Sequence, residues 1–289
     1  MTTIEVRPMT ADDIDGVVAV VHEADAEAER AAGRTPEQRT DEQDAHFRTG
    51  MQRFVDVDPA GAWVAAEGDA VVGMAEAIRR GPFWGLSMLF VHPRNQSQGV
   101  GRRLLDAALG YAEGAEVRMI MTSPDPRALR RYSGAGLAIH PAVEASGKVD
   151  RTTIPARLPG RTGDVGDVEL VADVDARLRG SRADDVAYLL KHGSRIEVID
   201  SGRGRGYAVH RNNRLSLLGA SDEQTAAQLM WRFLAETDDK AQVWCMTAAQ
   251  DWAVRVTLAA RMKVFGAGPL FMSGRAHPPG PWLPSGWYF

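Results

Sequence analysis

The spacing of apolar and polar positions predicts alternating strands and helices along the chain. Residues 86–91 form an apolar run typical of a buried strand, and His92-Pro93 opens the loop that follows. Beyond this loop, apolar residues recur at helical spacing and predict one apolar stripe: Val100, Leu104, Ala108 and Tyr111. Upstream, the pattern predicts a strand at 4–7, a helix capped by Thr10, one or two partly exposed helices at 23–58, and three antiparallel strands from residue 62.

Local signals also define a second helix and a break in the chain. A strand at 117–123 precedes a helix starting at Pro126, because Asp125 suits the N-cap and proline suits the first helical position. Gly136 is placed to end this helix in the left-handed conformation. Residues 151–166 are rich in Gly, Pro, Thr and Arg, so we interpret them as a linker.

After the linker, the pattern predicts strands at 168–171, 195–200 and 207–211, with a helix at 183–191. The run of glycine and arginine at 201–206 separates two apolar strands. A hairpin turn is therefore favoured over a phosphate-binding or RNA-binding role for this run.

The second half of the chain repeats parts of the first. Leu-Ser-Leu-Leu at 215–218 repeats Leu-Ser-Met-Leu at 86–89, and the strand at 243–247 repeats the strand that ends at Met121-Thr122. Residues 251–266 repeat the helix that follows Asp125. These echoes predict an internal duplication of strand–helix units.

Composition narrows the class of protein. The 289 residues suffice for two domains, and a net charge of −4 with a pI near 6.0 gives no general basic field for nucleic acid. The single cysteine, Cys245, excludes an internal disulfide framework and suggests a reducing setting. No secretion signal is visible, and no apolar run approaches the roughly 18 residues of a membrane span. We therefore expect a cytoplasmic protein without nucleic-acid or membrane partners.

The candidate chemistry lies where the loop meets the helix, at Gln96-x-x-Gly99-x-Gly101. A glycine-rich turn into a helix leaves several backbone N–H groups unpaired at the positive end of the helix dipole. Arg102 and Arg103 occupy the first turn, where a cation is unfavourable unless an anion is bound. The sequence contains no P-loop, and a dinucleotide fingerprint would come directly after the first strand. We predict a site for a diphosphate.

This pattern, after a strand ending in Val-x-Pro, resembles the coenzyme A loop of the GNAT superfamily of acetyl-CoA-dependent N-acetyltransferases. A second signature of that family, Asn-x-x-Ala-x-x-x-Tyr-x-x-x-Gly-Phe, matches with every spacing kept. Its positions here are Asp125, Ala128, Tyr132, Gly136 and Leu137, with Asp in place of Asn and Leu in place of Phe.

The resemblance implies a fold and a domain plan. The fold class is α/β (α+β), with two tandem GNAT-like domains, each a mixed, mostly antiparallel central sheet flanked by helices. Residues 1–150 form the catalytic domain with the acetyl-CoA loop, 151–166 the linker, and 167–289 a degenerate GNAT-like domain. We expect the degenerate domain to wall the substrate site or to mediate dimerisation, which leaves a homodimer possible.

The resemblance also assigns site residues. Those implied to contact acetyl-CoA are Leu89, Phe90, Val91, Gln96, Ser97, Gln98, Gly99, Val100, Gly101, Arg102 and Asp125. Tyr132 matches the general acid that reprotonates the leaving thiolate. The family's base glutamate is missing, because residues 84–87 contain no acid. Glu76 is a candidate base, and Glu23, Glu27 or a chain of waters are alternatives. The seven histidines show no metal-ligand spacing, so no metal is predicted.

In the repeat, the equivalent of the glycine-rich loop is residues 220–224, which contain no glycine. Ser221 and Gln224 form a predicted capping box, and Asp222 and Glu223 place negative charge where a diphosphate would lie. The tyrosine position falls near Leu258. We therefore expect no usual coenzyme A site there. The C-terminal aromatic residues Trp282, Trp287 and Phe289 are predicted to pack onto the second domain, with lining of the acceptor pocket as the alternative.

The implied reaction is direct acetyl transfer from acetyl-CoA to a primary amine, without a covalent intermediate. The charged segment 23–58 favours a small cationic acceptor, although a solvated helix face explains it equally well. A protein N-acetyltransferase acting on lysines or N-termini is an alternative. A noncatalytic coenzyme A-binding regulatory protein is another, because the family's base glutamate is missing.

Overall fold

The computed structural model describes residues 3–31, 33–36, 38–238 and 240–289. The helices in this part of the chain are α1 Ile14–Ala31, α2 Asp41–Val57, α3 Val100–Gly110, α4 Pro126–Gly134, α5 Val168–Leu178, α6 Ala183–Lys191, α7 Glu223–Glu236 and α8 Asp251–Ala259. The strands are β1 Ile4–Pro8, β2 Ala62–Glu67, β3 Ala70–Arg80, β4 Phe83–Val91, β5 Val117–Met121, β6 Ala138–His140, β7 Ala142–Lys148, β8 Arg161–Thr162, β9 Arg195–Ser201, β10 Gly204–Arg211, β11 Arg214–Ala220, β12 Lys240–Thr247, β13 Lys263–Gly266, β14 Leu270–Ser273 and β15 Trp282–Leu283.

The chain divides into two compact units, of which the first comprises residues 1–79 and 84–115. Its strands follow the order β1-β2-β3-β4, and the pairings of β2 with β1 and with β3 are antiparallel. The apolar stripe of α3 is buried as predicted, with Val100, Leu104 and Ala108 almost fully removed from solvent. Burial of this stripe, rather than helix propensity, holds α3 in place.

The second unit comprises residues 80–83 and 116–289. Within it β14 lies between β5 and β6 and is antiparallel to both. A larger sheet has the order β13-β7-β12-β11-β10-β9-β8, and β15 pairs with β11. Strands from either side of the predicted linker therefore pair: β7 lies beside β12 and β13, and β14 lies beside β5. The division at residues 151–166 stays a prediction.

The strand predicted at residues 168–171 is wrong, because these residues begin the helix α5. Leu170, Val171, Val174 and Leu178 are buried and share one face at helical spacing. Four residues are too few to distinguish the two-residue period of a strand from the 3.6-residue period of a helix. The helix can be identified only from the whole run of α5, Val168–Leu178. The helix predicted at 183–191 and the hairpin turn between 201 and 206 are confirmed.

The predicted fold class is confirmed: the chain is mixed α/β, with two mostly antiparallel sheets flanked by helices. Of the C-terminal aromatic residues predicted to pack, Trp282 and Phe289 are buried within the second unit, and Trp287 is half-buried. Among the described residues, no helix has both the length and the apolar character needed to span a bilayer.

Candidate functional site

The glycine loop, residues 96–101, is held in place by its own glutamine side chains. The Gln96 Nε2 donates to Val91 O at 3.1 Å, and the Gln98 Nε2 donates to Arg94 O at 3.0 Å. The two side-chain amides thereby pair with backbone carbonyls in the turn that follows β4. What these two residues can offer a ligand is therefore chiefly their backbone.

Two residues of the loop adopt the left-handed conformation. Ser97 has φ 63° and Gly99 has φ 81°, and Gly99 is the N-cap of α3. A Cβ added at Gly99 would meet no atom within 4 Å, so the space above the loop is open at this point. Glycine at this position removes both the backbone strain and the side chain that would cover the amides.

The amides of the loop precede the first backbone hydrogen bonds of α3. The first amides to find a carbonyl are those of Arg102 and Arg103, which both donate to Gly99 O at 3.1 Å. Within the part of the chain that the structure describes, the amides of residues 97–101 find no acceptor of ordinary geometry. Unpaired N–H groups at a helix N-terminus attract an anion. The loop fits a diphosphate.

The two arginines of the first turn have different roles. Arg103 donates from Nη1 to Ile4 O at 2.8 Å and ties α3 to β1. The Arg102 side chain is 81% exposed, with its Nε 3.7 Å from an Asp106 carboxylate oxygen. An exposed ion pair of this length contributes little to stability. Arg102 is therefore the first-turn cation that can turn towards a bound anion.

A residue that the sequence reasoning missed, Gly73 on β3, sets the distance between the helix and the sheet. A Cβ at Gly73 would lie 3.0 Å from a methyl carbon of Leu104 and 3.1 Å from Phe90 O. An isolated glycine in a strand pattern is the signal that predicts such a close approach. Phe90 and its neighbours Leu89 and Val91 are half-buried at the end of β4.

Glu76, the candidate base, is completely buried on β3. Neither of its carboxylate oxygens has a hydrogen-bond partner among the described residues. Burial, with a smaller contribution from the neighbouring Asp58 carboxylate, raises the pKa of Glu76 well above its usual value. An unpaired carboxyl in such a place is costly, and groups with strongly perturbed pKa values are concentrated at functional sites.

Asp58, which the sequence reasoning missed, is the acidic neighbour of Glu76. It is also buried, and its Oδ1 accepts hydrogen bonds from the Arg79 amide at 3.0 Å and from the Tyr111 hydroxyl at 3.1 Å. These two hydrogen bonds hold the Asp58 side chain in place beside β3. Its carboxylate adds to the effect of burial in raising the pKa of Glu76.

The register of β3 shows which face carries Glu76. Between β2 and β3 the pairing shifts at Val72, which reverses the alternation of side chains. A Cβ at Gly73 would meet Leu104 of α3, whereas Val71 contacts Gly16 of α1. Successive side chains of a strand alternate between the two faces of the sheet, and Glu76 lies three positions after Gly73. Glu76 therefore lies on the opposite face from Gly73, the one covered by α1. The alternative bases Glu23 and Glu27 are exposed, and Glu27 pairs with Arg30.

The second unit contains Tyr132, on α4, with 5% of its surface exposed. Burial raises the pKa of the Tyr132 phenol to about 12, more than hydrogen bonding to Thr122 lowers it. The ring packs edge-on against Phe271 with centroids 5.7 Å apart. The phenol thus keeps its proton throughout the physiological range of pH.

Asp125 has two tasks within the second unit. As the N-cap of α4 it accepts a hydrogen bond from the Arg127 amide at 2.8 Å, as the sequence predicts. It also forms an ion pair with the Arg127 guanidinium at 2.7 Å, and these contacts lower the pKa of its carboxyl. The carboxylate is therefore already engaged, and its contact with coenzyme A stays a prediction.

The equivalent of the glycine loop in the repeat is closed, although the predicted capping box of Ser221 and Gln224 is wrong. Asp222 is the N-cap of α7, and it accepts from the Thr225 amide at 2.8 Å and the Thr225 hydroxyl at 2.7 Å. A carboxylate one residue further on outcompetes the serine for the free amides. Leu258, the predicted equivalent of Tyr132, is 56% exposed.

No group of three or more His, Cys, Asp or Glu side chains is placed to hold a metal ion among the residues that the structure describes. The predicted site residues divide between the units: Glu76, residues 89–91 and the glycine loop lie in the first, and Asp125 and Tyr132 lie in the second.

Comparison with known proteins gives a consistent picture. Residues 22–137 match the family model described as Acetyltransferase (GNAT) family. A crystal structure of a candidate acetyltransferase from Pyrococcus horikoshii is similar over 100% of this chain and 97% of its own, with a TM-score of 0.77 and 12% identity. No curated protein sequence matches the chain.

Two further solved structures share the fold. A GCN5-related N-acetyltransferase from Sphaerobacter thermophilus aligns with 96% of this chain and 97% of its own, with a TM-score of 0.60 and 15% identity. One from Kribbella flavida covers 93% of this chain and 71% of its own, with a TM-score of 0.60 and 14% identity. These alignments extend over both halves of the chain, and the two sheets match a fold of this kind in tandem.

Proposed function

We propose that the chain, whose residues 22–137 match the GNAT acetyltransferase family model, transfers the acetyl group of acetyl-CoA to a primary amine of a small molecule. The observation that carries this proposal is the glycine loop: open space above Gly99 and unpaired amides at residues 97–101, at the start of a buried helix. The loop lies inside the segment that matches the family, residues 22–137.

The first task of these residues is to hold the donor. The amides of the glycine loop and the exposed Arg102 supply donors and positive charge for a diphosphate. The half-buried strand end at Leu89, Phe90 and Val91 offers backbone groups to the pantetheine arm. When bound, acetyl-CoA supplies an activated thioester, and the amine needs only to be neutral to attack it.

Tyr132 is the proposed general acid. With a pKa of about 12 its phenol stays protonated until a base removes the proton. A proton donor works best when its pKa is close to that of the acceptor. Desolvation raises the pKa of a thiol, so a thiolate leaving in a desolvated site accepts the proton of Tyr132 more readily than one in water.

Glu76 is the proposed general base. Its carboxyl oxygens are unpaired, and its pKa is raised by burial, so as a carboxylate it would accept a proton from an ammonium group more readily than a solvated glutamate does. The step requires the ionised form of Glu76, whose share grows as the pH rises towards its raised pKa. In that form a Glu76 oxygen takes the proton from the amine nitrogen, which leaves the amine neutral for attack. The buried Asp58 beside Glu76 supports a cationic acceptor over a neutral one.

The experiment is a free-thiol release assay with acetyl-CoA and a panel of small amines and lysine peptides. We expect turnover with at least one small amine. Tyr132→Phe and Glu76→Gln should each lower kcat by roughly 100-fold or more while the Kd for acetyl-CoA changes little, as expected for groups that act in the chemical step. Glu23→Gln, at an exposed position of α1, is the matched control and should retain activity.

The same assay separates the alternatives. Turnover on peptides but on no small amine would contradict the proposed substrate class and indicate a protein acetyltransferase. Acetyl-CoA binding without turnover on any amine would indicate a noncatalytic coenzyme A-binding protein. Full activity of Tyr132→Phe would remove Tyr132 as the acid.

A further inference from the structure

The internal repeat relates the end of β11 to the end of β4. Because residues 215–218 repeat residues 86–89, Leu218, Gly219 and Ala220 occupy the positions of Leu89, Phe90 and Val91. In the first half, these three positions are the proposed contacts of the pantetheine arm. In the second half, the structure shows what they contact instead.

All three positions of β11 are bound by the chain's own C-terminal segment, residues 279–289. β15 pairs antiparallel with β11, with Leu283 opposite Leu218 and Trp282 opposite Gly219. The Ala220 amide donates to Pro281 O at 2.9 Å. Trp282 and Leu283 are both almost fully buried, so this short strand is part of the core.

The segment lies where β11 and its parallel neighbour separate. Among the described residues, β11 and β12 are paired only at Arg214 and Gln242, near the start of both strands. Further along, β15 contacts both β11 and β12. A backbone that would otherwise be exposed at the end of β11 is thereby supplied with partners.

The same C-terminal segment also binds the equivalent of Asp125, a residue implied to contact coenzyme A. Gln250 is the N-cap of α8, as Asp125 is of α4, and its Nε2 donates to Pro279 O at 2.7 Å. The Trp252 Nε1 donates to Gly280 O at 2.8 Å. Two side chains from the start of α8 thus hold the residues that lead into β15.

The equivalent of the glycine loop, residues 220–224, is occupied by hydrogen bonds from its own side chains. Asp222 binds the Thr225 amide, the Ser221 hydroxyl donates to Asp222 at 2.8 Å, and the Arg205 amide donates to the Ser221 hydroxyl oxygen at 3.0 Å. No acceptor is needed from outside the chain, and the Asp222 carboxylate repels an anion.

The far end of the segment is anchored in the core. The buried Arg179 and Arg182 both donate to Phe289 O, and Arg182 is held by the buried Asp175, whose Oδ2 lies 3.0 Å from its Nε. Removing one partner from such a buried network leaves an uncompensated charge, so the network favours a single arrangement of the segment.

We propose that residues 279–283 are an internal ligand of the second fold, occupying the place that the pantetheine arm takes in the first, so that the chain binds one acyl-CoA, in its N-terminal half. This inference rests on the proposed function for the location of the first site. In the second half, the chain itself then occupies the place where coenzyme A would bind. The second half is therefore neither a vacant nor a regulatory coenzyme A site.

The first test measures how many acetyl-CoA molecules bind to the full-length protein by calorimetry. We expect one per chain, and we expect Gly99→Val to raise the Kd more than about 10-fold with no tighter site remaining, because the second fold offers no alternative. A second bound molecule in the wild-type protein, or binding to Gly99→Val with the Kd of wild type, would overturn the proposal.

The second test fixes the segment in place. In the double variant Leu218→Cys, Leu283→Cys, the two residues face each other in the register, so oxidation should close a disulfide between β11 and β15. We expect the oxidised and reduced forms of the same protein to bind acetyl-CoA with the same affinity, within about 2-fold (RT ln 2 is about 0.4 kcal/mol). Loss of binding on oxidation would show that the segment must leave its place.

A readout without any ligand distinguishes failure of this inference from failure of the proposed function. The Ala220 amide, bonded to Pro281 O, should exchange with solvent as slowly as the amides inside β10. Fast exchange at Ala220 would contradict the internal ligand even if acetyl-CoA binds elsewhere. Slow exchange with no acetyl-CoA binding at all would leave the seated segment correct and contradict the proposed function instead.

Discussion

Replacing Glu76 by glutamine should stabilise the protein by an amount that grows with pH. Glu76 is fully buried, both carboxylate oxygens lack partners among the described residues, and its pKa is raised well above the usual value. Glutamine has nearly the same shape but cannot ionise. The variant therefore tests the buried charge while it leaves the packing of β3 unchanged.

The sign of the effect follows from proton linkage. Below about pH 4 both the folded and the unfolded protein keep the proton on Glu76, so the pH-dependent difference vanishes. Above the unfolded pKa of about 4.3, the unfolded chain releases the proton while the folded carboxyl retains it. The wild-type protein then loses about 1.4 kcal/mol of stability relative to Glu76→Gln for each pH unit, until the folded carboxyl also ionises.

The assay is urea unfolding of both proteins between about pH 5 and pH 8, with the free energy of unfolding extrapolated to water. The slope with pH is the readout, because any unpaired hydrogen-bond donor of the new amide adds a constant offset at every pH. Glu5→Gln, at an exposed position of β1, is the control and should show no such slope. A stability difference between Glu76→Gln and wild type that is the same at both ends of the range would refute the reasoning.

Three other variants follow from the structure. Gly99→Val should raise the Kd for acetyl-CoA more than about 10-fold in calorimetry. A β-branched residue is strained at φ 81°, and its side chain would cover the loop amides. A Kd like that of wild type would contradict the role of the loop. Asp125→Asn should change the free energy of unfolding in urea by less than about 1 kcal/mol, because asparagine also caps a helix and the lost pair with Arg127 is partly exposed; a larger loss would show a greater role for that pair. Asp175→Ala should destabilise the protein by about 3–5 kcal/mol because it strands the buried Arg182, and a loss below about 1 kcal/mol would contradict this.

The features that could be predicted from the sequence are those set by neighbouring residues. The N-cap Asp125, the helix stop at Gly136 with φ 82°, and the turn at Gly99 each depend on the conformational preference of one residue and the contacts of one turn. The stripe of α3 is also local, because it repeats every three or four positions over the length of the helix.

The features that the sequence could not supply depend on residues distant in the chain. The burial of Glu76 depends on the register shift at Val72 and on the helix that covers that face of β3, and its neighbour Asp58 lies 18 positions upstream, before β2. A glutamate in a strand gives no sign of either. Glu76 stays one of several candidate bases, and the structure adds that it is buried whereas Glu23 and Glu27 are exposed.

Strand exchange around the predicted linker is also a long-range property. β14 pairs with β5 and β6, although more than a hundred residues separate β14 from either strand. The short apolar run of β14 fits many partners, and only the assembled sheet selects one. For the same reason, the pairing of β15 with β11 could not be predicted from the aromatic residues of the C-terminal segment.

The central claim, that the glycine loop binds the diphosphate of acetyl-CoA, is tested most directly by a crystal structure of the full-length protein with acetyl-CoA. The account predicts diphosphate oxygens within about 2.7–3.2 Å of backbone nitrogens of residues 97–101. A cofactor bound with its diphosphate at residues 220–224, or one that leaves the loop amides without contact, would contradict it.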